Sequence, residues 1–344
     1  MENKHELFPG TAGKFNYVYA CYLTGHWIIG IALLIFAMLS VPFEAYGAFA
    51  QNMGLPPEPK VSEQLQRALD RIVAKNLKKQ SNLASSQVHL AVIDLTNPQQ
   101  PRLAQYNGRE PVYPSSVIKM VYMGYVYHLA KQGVLEITPK VRKKLYQMIH
   151  PSSNTATAWI VDLWSQTSGV EQRSPREYKE FSRRRNACNR WLRSLGITQI
   201  NACQKTWGSP IPPGEKQFLR NGKPSGPWVN RNTMTAVAAA RFLQLLAQNA
   251  LVDKKSCDAM RKLMVRDVRN QCYQRMRIAG GTTKGTKVYS KTGTTSDTFH
   301  DAGIVTLPNG RTFILTIFIT GSYRGPFIRN VSKDLYAYFM KQMS

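Results

Sequence analysis

Apolar and polar positions fall into three regimes along this chain of 344 residues. From Trp27 to Phe43 the sequence WIIGIALLIFAMLSVPF carries no charge. That run lies at the lower end of the roughly 17–25 residues a spanning helix needs, and semi-apolar Phe15 to Leu23 could extend it. It predicts a transmembrane anchor or a signal segment over 27–45, behind a cytoplasmic tail over 1–26. Ala48-Phe49-Ala50 resembles a small-x-small cleavage site. Lys4 and Lys14, offset by Glu2 and Glu6, make a long and weakly charged tail, which favours an uncleaved anchor. Either way the remainder is exported. The expected location is the bacterial inner membrane, single-pass with the folded part periplasmic, or the periplasm itself after cleavage. A linker over 46–61 follows, containing the Pro/Gly-rich NMGLPPEPK.

In the second regime the period changes from 3.6 to 2 and back. Leu65, Leu69 and Ile72 recur at helical spacing behind Ser62, an N-cap residue type. Val88 to Leu95 and Arg102 to Tyr106 read as strands. Near the far end Lys287–Thr292, Ala302–Leu307 and Arg311–Thr320 do the same, with Pro308-Asn309-Gly310 as a hairpin turn. A final amphipathic helix spans about Val331 to Met343. Residues 116–265, the third regime, are mainly helical. The fold class is therefore α+β over 62–344. Both ends build a five-stranded antiparallel sheet flanked by helices, and the middle forms an all-helical lobe.

The formal net charge is +26, and the first 50 residues contribute none of the excess. It sits in runs such as Lys140-Val141-Arg142-Lys143-Lys144 and Arg183-Arg184-Arg185. Such a surface suits an anionic membrane or cell-wall polymer. Nucleic acid is excluded as the expected partner because no helix-turn-helix, zinc or RRM signature accompanies the charge. Four cysteines, Cys188, Cys203, Cys257 and Cys272, lie in the exported part and allow three connectivities. Pairing of sequence neighbours, Cys188–Cys203 and Cys257–Cys272, is the simplest. No metal-ligand spacing occurs and no cofactor is expected. A monomer is expected.

Three short motifs supply chemistry. Ser116-Val117-Ile118-Lys119, Ser152-Ser153-Asn154 and Lys291-Thr292-Gly293 are the chain's sole Ser-x-x-Lys, Ser-x-Asn and Lys-Thr-Gly. Singly, each reads as a capping serine with a surface lysine, a polar helix cap, or a strand end. In this order, on a helix start, a lobe and a strand, they point to a covalent serine acyl-transfer site in a cleft between sheet and lobe.

This layout resembles the serine β-lactamase and penicillin-binding protein superfamily, closest to class A β-lactamase-like serine hydrolases. The resemblance covers residues 62–344. Tyr113-Pro114-Ser115-Ser116 and Asn154-Thr155-Ala156-Thr157-Ala158 add to it, as do Gln204-Lys205-Thr206-Trp207 and Phe299-His300-Asp301-Ala302. It implies that Ser116 is the nucleophile, with Lys119 as its base once burial or a neighbouring cation lowers the lysine pKa. Ser152 would bridge Lys119 and Lys291 and pass a proton to the leaving nitrogen. Asn154 would orient Lys119 and bind the substrate amide. Lys291 and Thr292 would hold a carboxylate, and Gly293 would let the substrate backbone come close. The N–H groups of Ser116 and Thr294 would form the oxyanion hole.

The chain departs from the family's pattern in three places. Ser153 stands where Asp is common, the interval from Ser116 to Ser152 is short, and no Glu-x-x-Leu-Asn string occurs. In the corresponding Gln204–Asn232 region the sole acid is Glu215, and two readings stand for it: deacylation base, or salt-bridged loop residue. His300 likewise reads as a carboxylate ligand or a structural histidine. The expected activity is β-lactamase-type hydrolysis of a β-lactam amide through an acyl-Ser116 ester. The alternatives are a D,D-peptidase acting on peptidoglycan stem peptides, and a non-catalytic wall- or membrane-binding module.

Overall fold

The computed structural model describes residues 54–206, 210–267 and 272–341. The expected tail over 1–26 and membrane segment over 27–45 lie outside the described residues. Among the described residues no helix is long and apolar enough to cross a membrane.

The main sheet contains β1 (Lys60–Val61), β2 (Val88–Asp94), β3 (Arg102–Tyr106), β6 (Lys287–Thr295), β7 (Thr298–Thr306) and β8 (Thr312–Thr320), in the order β1-β3-β2-β8-β7-β6. It is six-stranded, not five-stranded, and mixed, because β1 runs parallel to β3. β1 is two residues of the expected linker, too short to show a period. Tertiary hydrogen bonds create it, Lys60 N to Pro101 O (3.0 Å) and Ser62 N to Leu103 O (2.9 Å). A second pair, β4 (Ile200–Asn201) and β5 (Thr233–Met234), lies in the lobe, so the lobe is not all-helical.

The helices are α1 (Glu63–Leu77), α2 (Lys119–Lys131), α3 (Pro139–Ile149), α4 (Asn154–Ser165), α5 (Pro175–Arg185), α6 (Ala187–Ser194), α7 (Pro213–Leu219), α8 (Ala236–Ala247), α9 (Lys254–Met264) and α10 (Phe327–Lys341). Ser62 caps α1 by accepting from Leu65 N (3.3 Å), and the helix buries Leu65, Leu69 and Val73. Each contributes about 1.5–3 kcal/mol relative to exposure. Together with α10 they cover one face of the sheet, and α8 with the lobe covers the other. Every residue of β2 is buried as a result.

At the centre of the lobe α2 is buried continuously from Lys119 to Tyr127. Packing there is close: a Cβ on Gly124 would lie 2.9 Å from Phe242 Cζ and 3.0 Å from Trp191 Cη2. A helix submerged this completely takes the lysine at its first position out of water with it. The four described cysteines are unbridged, against the pairing of sequence neighbours. Buried Cys203 instead directs its thiol at Asn201 Oδ1 (3.3 Å) and Asn230 O (3.6 Å).

Candidate active site

Ser116 sits in a short 3-10 turn, Ser115–Ile118, that leads directly into α2. It is partly exposed, while Ser115 and Lys119 on either side are buried. β6 lies against this turn. A Cβ on Gly293 would come within 2.8 Å of Pro114 O and 3.2 Å of Ser116 N. The glycine therefore permits the strand and the Ser116 turn to touch. Thr294, next along the strand, is exposed at the cleft edge, and Thr292 is partly exposed.

Ser152 reaches the same place from the lobe. It adopts a left-handed conformation (φ 63°) in the loop between α3 and α4. Arg266 fixes that loop to β6 by donating to Ile149 O (3.0 Å) and to Ser290 O (2.9 Å). Ser153 caps α4, accepting from Ala156 N (3.1 Å), which is why a serine serves at this middle position.

The two lysines meet at Ser152. Lys119 Nζ donates to Ser152 O (2.6 Å) and Asn154 Oδ1 (2.8 Å) and lies 3.3 Å from Ser152 Oγ. Lys291 Nζ donates to the same Ser152 Oγ (2.9 Å) and to Thr292 O (2.8 Å). Burial pushes the Lys119 amine down to about 7. It also pushes Lys291 well below the usual lysine range, with the positive charges of Lys119 and Arg266 adding to the effect. An amine about half neutral at pH 7, a partly buried hydroxyl and a second, buried amine are thus joined in one line beside a partly exposed serine. That arrangement can move a proton from one end to the other.

His300 is a structural histidine. Its Nδ1 accepts from Ile319 N (3.0 Å), so the proton resides on Nε2, which donates to Tyr113 O (3.0 Å). Burial pushes its pKa down to about 4. It anchors the segment entering the Ser116 turn and leaves no ring nitrogen for a ligand.

Glu215 forms a buried ion pair. It is fully buried, and Arg185 grips both carboxylate oxygens, Nη1 to Oε1 (2.6 Å) and Nη2 to Oε2 (2.9 Å). Lys205 Nζ lies 3.7 Å from Glu215 Oε1 and 2.5 Å from Asp162 Oδ1. Asp162 is eight residues along α4 from Asn154, about 12 Å at the helical rise. The carboxylate therefore closes an ion pair some two helical turns down α4. A salt bridge was one of the readings open in the sequence, but its partner was not legible, because Arg185 lies thirty positions upstream.

Other residues went unrecognised in the sequence. Arg277 donates to Thr294 Oγ1 (2.6 Å) and His300 O (2.7 Å) with its guanidinium over the Phe299 ring, bracing the outer end of β6. Tyr122, one turn after Lys119, donates to Gln204 O (2.5 Å) and Asn232 Oδ1 (3.1 Å), closing the neck of the long loop over α2. Arg277 lies among short 3-10 turns that carry no period, and the Tyr122 contacts join positions over eighty residues apart.

The sequence model of the β-lactamase enzyme family matches residues 136–339. The chain belongs to that family. The matched stretch holds the second and third motifs, while Ser116 and Lys119 lie just ahead of it. A search of curated proteins finds no match. Among solved structures, the chain is similar to a PBP-A mutant in an acyl-enzyme complex with penicillin G. The identity is 20% and the TM-score 0.56, over 84% of this chain and 100% of that one. It is also similar to a β-lactamase from Sphaerobacter thermophilus (20% identity, TM-score 0.56, 80% of this chain and 96% of the other). TLA-3 extended-spectrum β-lactamase gives 16% identity and a TM-score of 0.58 over 79% and 99% of the two chains. These likenesses establish the β-lactamase/transpeptidase-like serine hydrolase fold.

Proposed function

We propose that this protein acylates Ser116 with the carbonyl of a β-lactam or of a peptidoglycan stem peptide, and that the ester it forms with a β-lactam is long-lived. The observation that carries the acylation is the line from buried Lys119 through Ser152 to buried Lys291, set against the Ser116 turn. Neutral Lys119 takes the Ser116 hydroxyl proton as Oγ attacks the carbonyl carbon. The N–H groups of Ser116 and Thr294 receive the oxyanion. As the intermediate collapses the C–N bond breaks, Ser152 passes its hydroxyl proton to the departing nitrogen, and Lys119 returns to Ser152 the proton it took from Ser116, while Lys291 holds the Ser152 oxygen in place. Lys291 and Thr292 attract the substrate carboxylate, and Asn154 serves both Lys119 and the substrate amide. In a β-lactam the departing nitrogen stays tethered, so the ester persists until water reaches it.

Glu215 bears on that last step. With both oxygens on Arg185 it is spent in stabilising the loop, which favours the D,D-peptidase reading over fast β-lactamase turnover. The net charge of +26 supports an exported domain working against an anionic envelope surface. The test is the intact mass of the full chain over time after adding penicillin G, beside Ser116→Ala. A wild-type adduct that persists, with none on the variant, is expected. Rapid clearance with drug consumed in excess of enzyme would instead establish a β-lactamase. No wild-type adduct would overturn acyl-serine chemistry on this substrate class.

A further inference from the structure

Three side-chain hydroxyls join the nucleophile turn to the sheet, and the mechanism above does not use them. Ser115 Oγ hydrogen-bonds Thr298 Oγ1, and Thr298 Oγ1 hydrogen-bonds Thr295 Oγ1 (2.9 Å). Ser115 and Thr298 are almost wholly buried. Thr295 ends β6, Thr298 begins β7, and the two residues pair across the turn between the strands. Ser115 immediately precedes Ser116, and Thr295 immediately follows Thr294. The hydroxyl chain therefore ends one residue from each N–H group assigned to the oxyanion.

Local conformation adds to the case. Ser115 has φ 48°, in the left-handed region where glycine is the ordinary occupant. Glycine would relieve the backbone but remove the hydroxyl. On the near side, contact between Gly293 and residues 114–116 limits how closely the strand can approach the turn. The hydroxyl chain limits how far the two can separate. Arg324 holds the β6–β7 turn from outside by donating to Thr295 O and to Ser296 O (2.7 Å).

We infer that the Ser115–Thr298–Thr295 hydroxyl chain sets the spacing of the Ser116 and Thr294 N–H groups, making Ser115 and Thr298 positioning residues for acylation. The inference rests on the acyl-serine reading. Donors preorganised for developing charge lose effect when displaced, and a shift of about 1 Å can cost about 100-fold in rate.

The experiment is acylation kinetics of the full-length protein with penicillin G, separating the saturating rate constant from the dissociation constant of the non-covalent complex. Thr298→Val keeps the shape and deletes the hydroxyl. It should slow acylation by about 10- to 100-fold while leaving initial binding within about twofold. Thr298→Ser, which restores the hydroxyl, should recover most of the rate. If Thr298→Val does not fold, Ser115→Ala reads the same hydrogen bond from its other end. Wild-type rates in the valine variant would overturn the hydroxyl chain alone. A serine variant as slow as the valine one would also overturn it, assigning the effect to packing. A wild type that takes up no acyl group would overturn the acyl-serine reading, and the positioning role with it.

Discussion

Lys119 shows how one side chain acquires chemistry from its surroundings. It opens a helix whose next eight residues are all buried, and among the described residues Ser152 and Asn154 replace water at its amine. The charged form loses most by burial, so the pKa falls to about 7. Below that pH the amine is protonated and cannot accept a proton; above it the base is available. Acylation of Ser116 should therefore rise with pH and level off above about 7. Lys119→Arg, whose guanidinium stays charged, should lower the plateau by about 10²- to 10⁴-fold. Stopped-flow acylation between pH 5 and 9 checks both, and a flat wild-type profile would remove Lys119 as the base. The motif made Lys119 legible as a candidate. The lowered pKa came only from the helices packed around it.

At the scale of elements, the candidate site depends on β6 touching the Ser116 turn. Lys291 and Gly293 were legible as a motif on a strand, but the strand is longer than its pattern suggested. It continues to Thr295, because Thr294 and Thr295 lie exposed at the cleft edge, and β7 begins at Thr298, because buried but polar Thr298, His300 and Asp301 break the apolar alternation. Gly293→Ala tests the contact. Its Cβ would come 2.8 Å from Pro114 O and 3.1 Å from Ser115 Cβ, closer than such atoms pack. Strand and turn must then part, and acylation should fall by at least about tenfold while circular dichroism stays native. An alanine variant with wild-type rates would show that the contact does not set the geometry. β1 and the β4–β5 pair escaped the sequence for a related reason. Two-residue strands carry no period and exist only because a partner strand is alongside.

Across the whole molecule, His300 ties three parts together: β7 on which it sits, β8 through Ile319, and the Ser116 turn through Tyr113. Its pKa is lowered from 6.5 to about 4 by burial, so below pH 6.5 the unfolded chain binds a proton that the folded one refuses. Stability should therefore fall as the pH drops from about 6.5 toward 4, by about 2–3 kcal/mol from this residue. Urea unfolding at pH 7 and 4.5 should show that loss in the wild type and a smaller one in His300→Asn. Equal losses would sink the assignment. By itself the sequence determined the α+β class, the order of the main strands along the chain and the three motifs, since periodicity and unique short strings are local properties. The tertiary structure alone decided that Glu215 closes an ion pair with Arg185, that His300 is structural, that the sheet has a sixth strand, and that Lys119 and Lys291 share one hydroxyl. Each of those depends on which distant residue arrives alongside, and on how much water it displaces when it does.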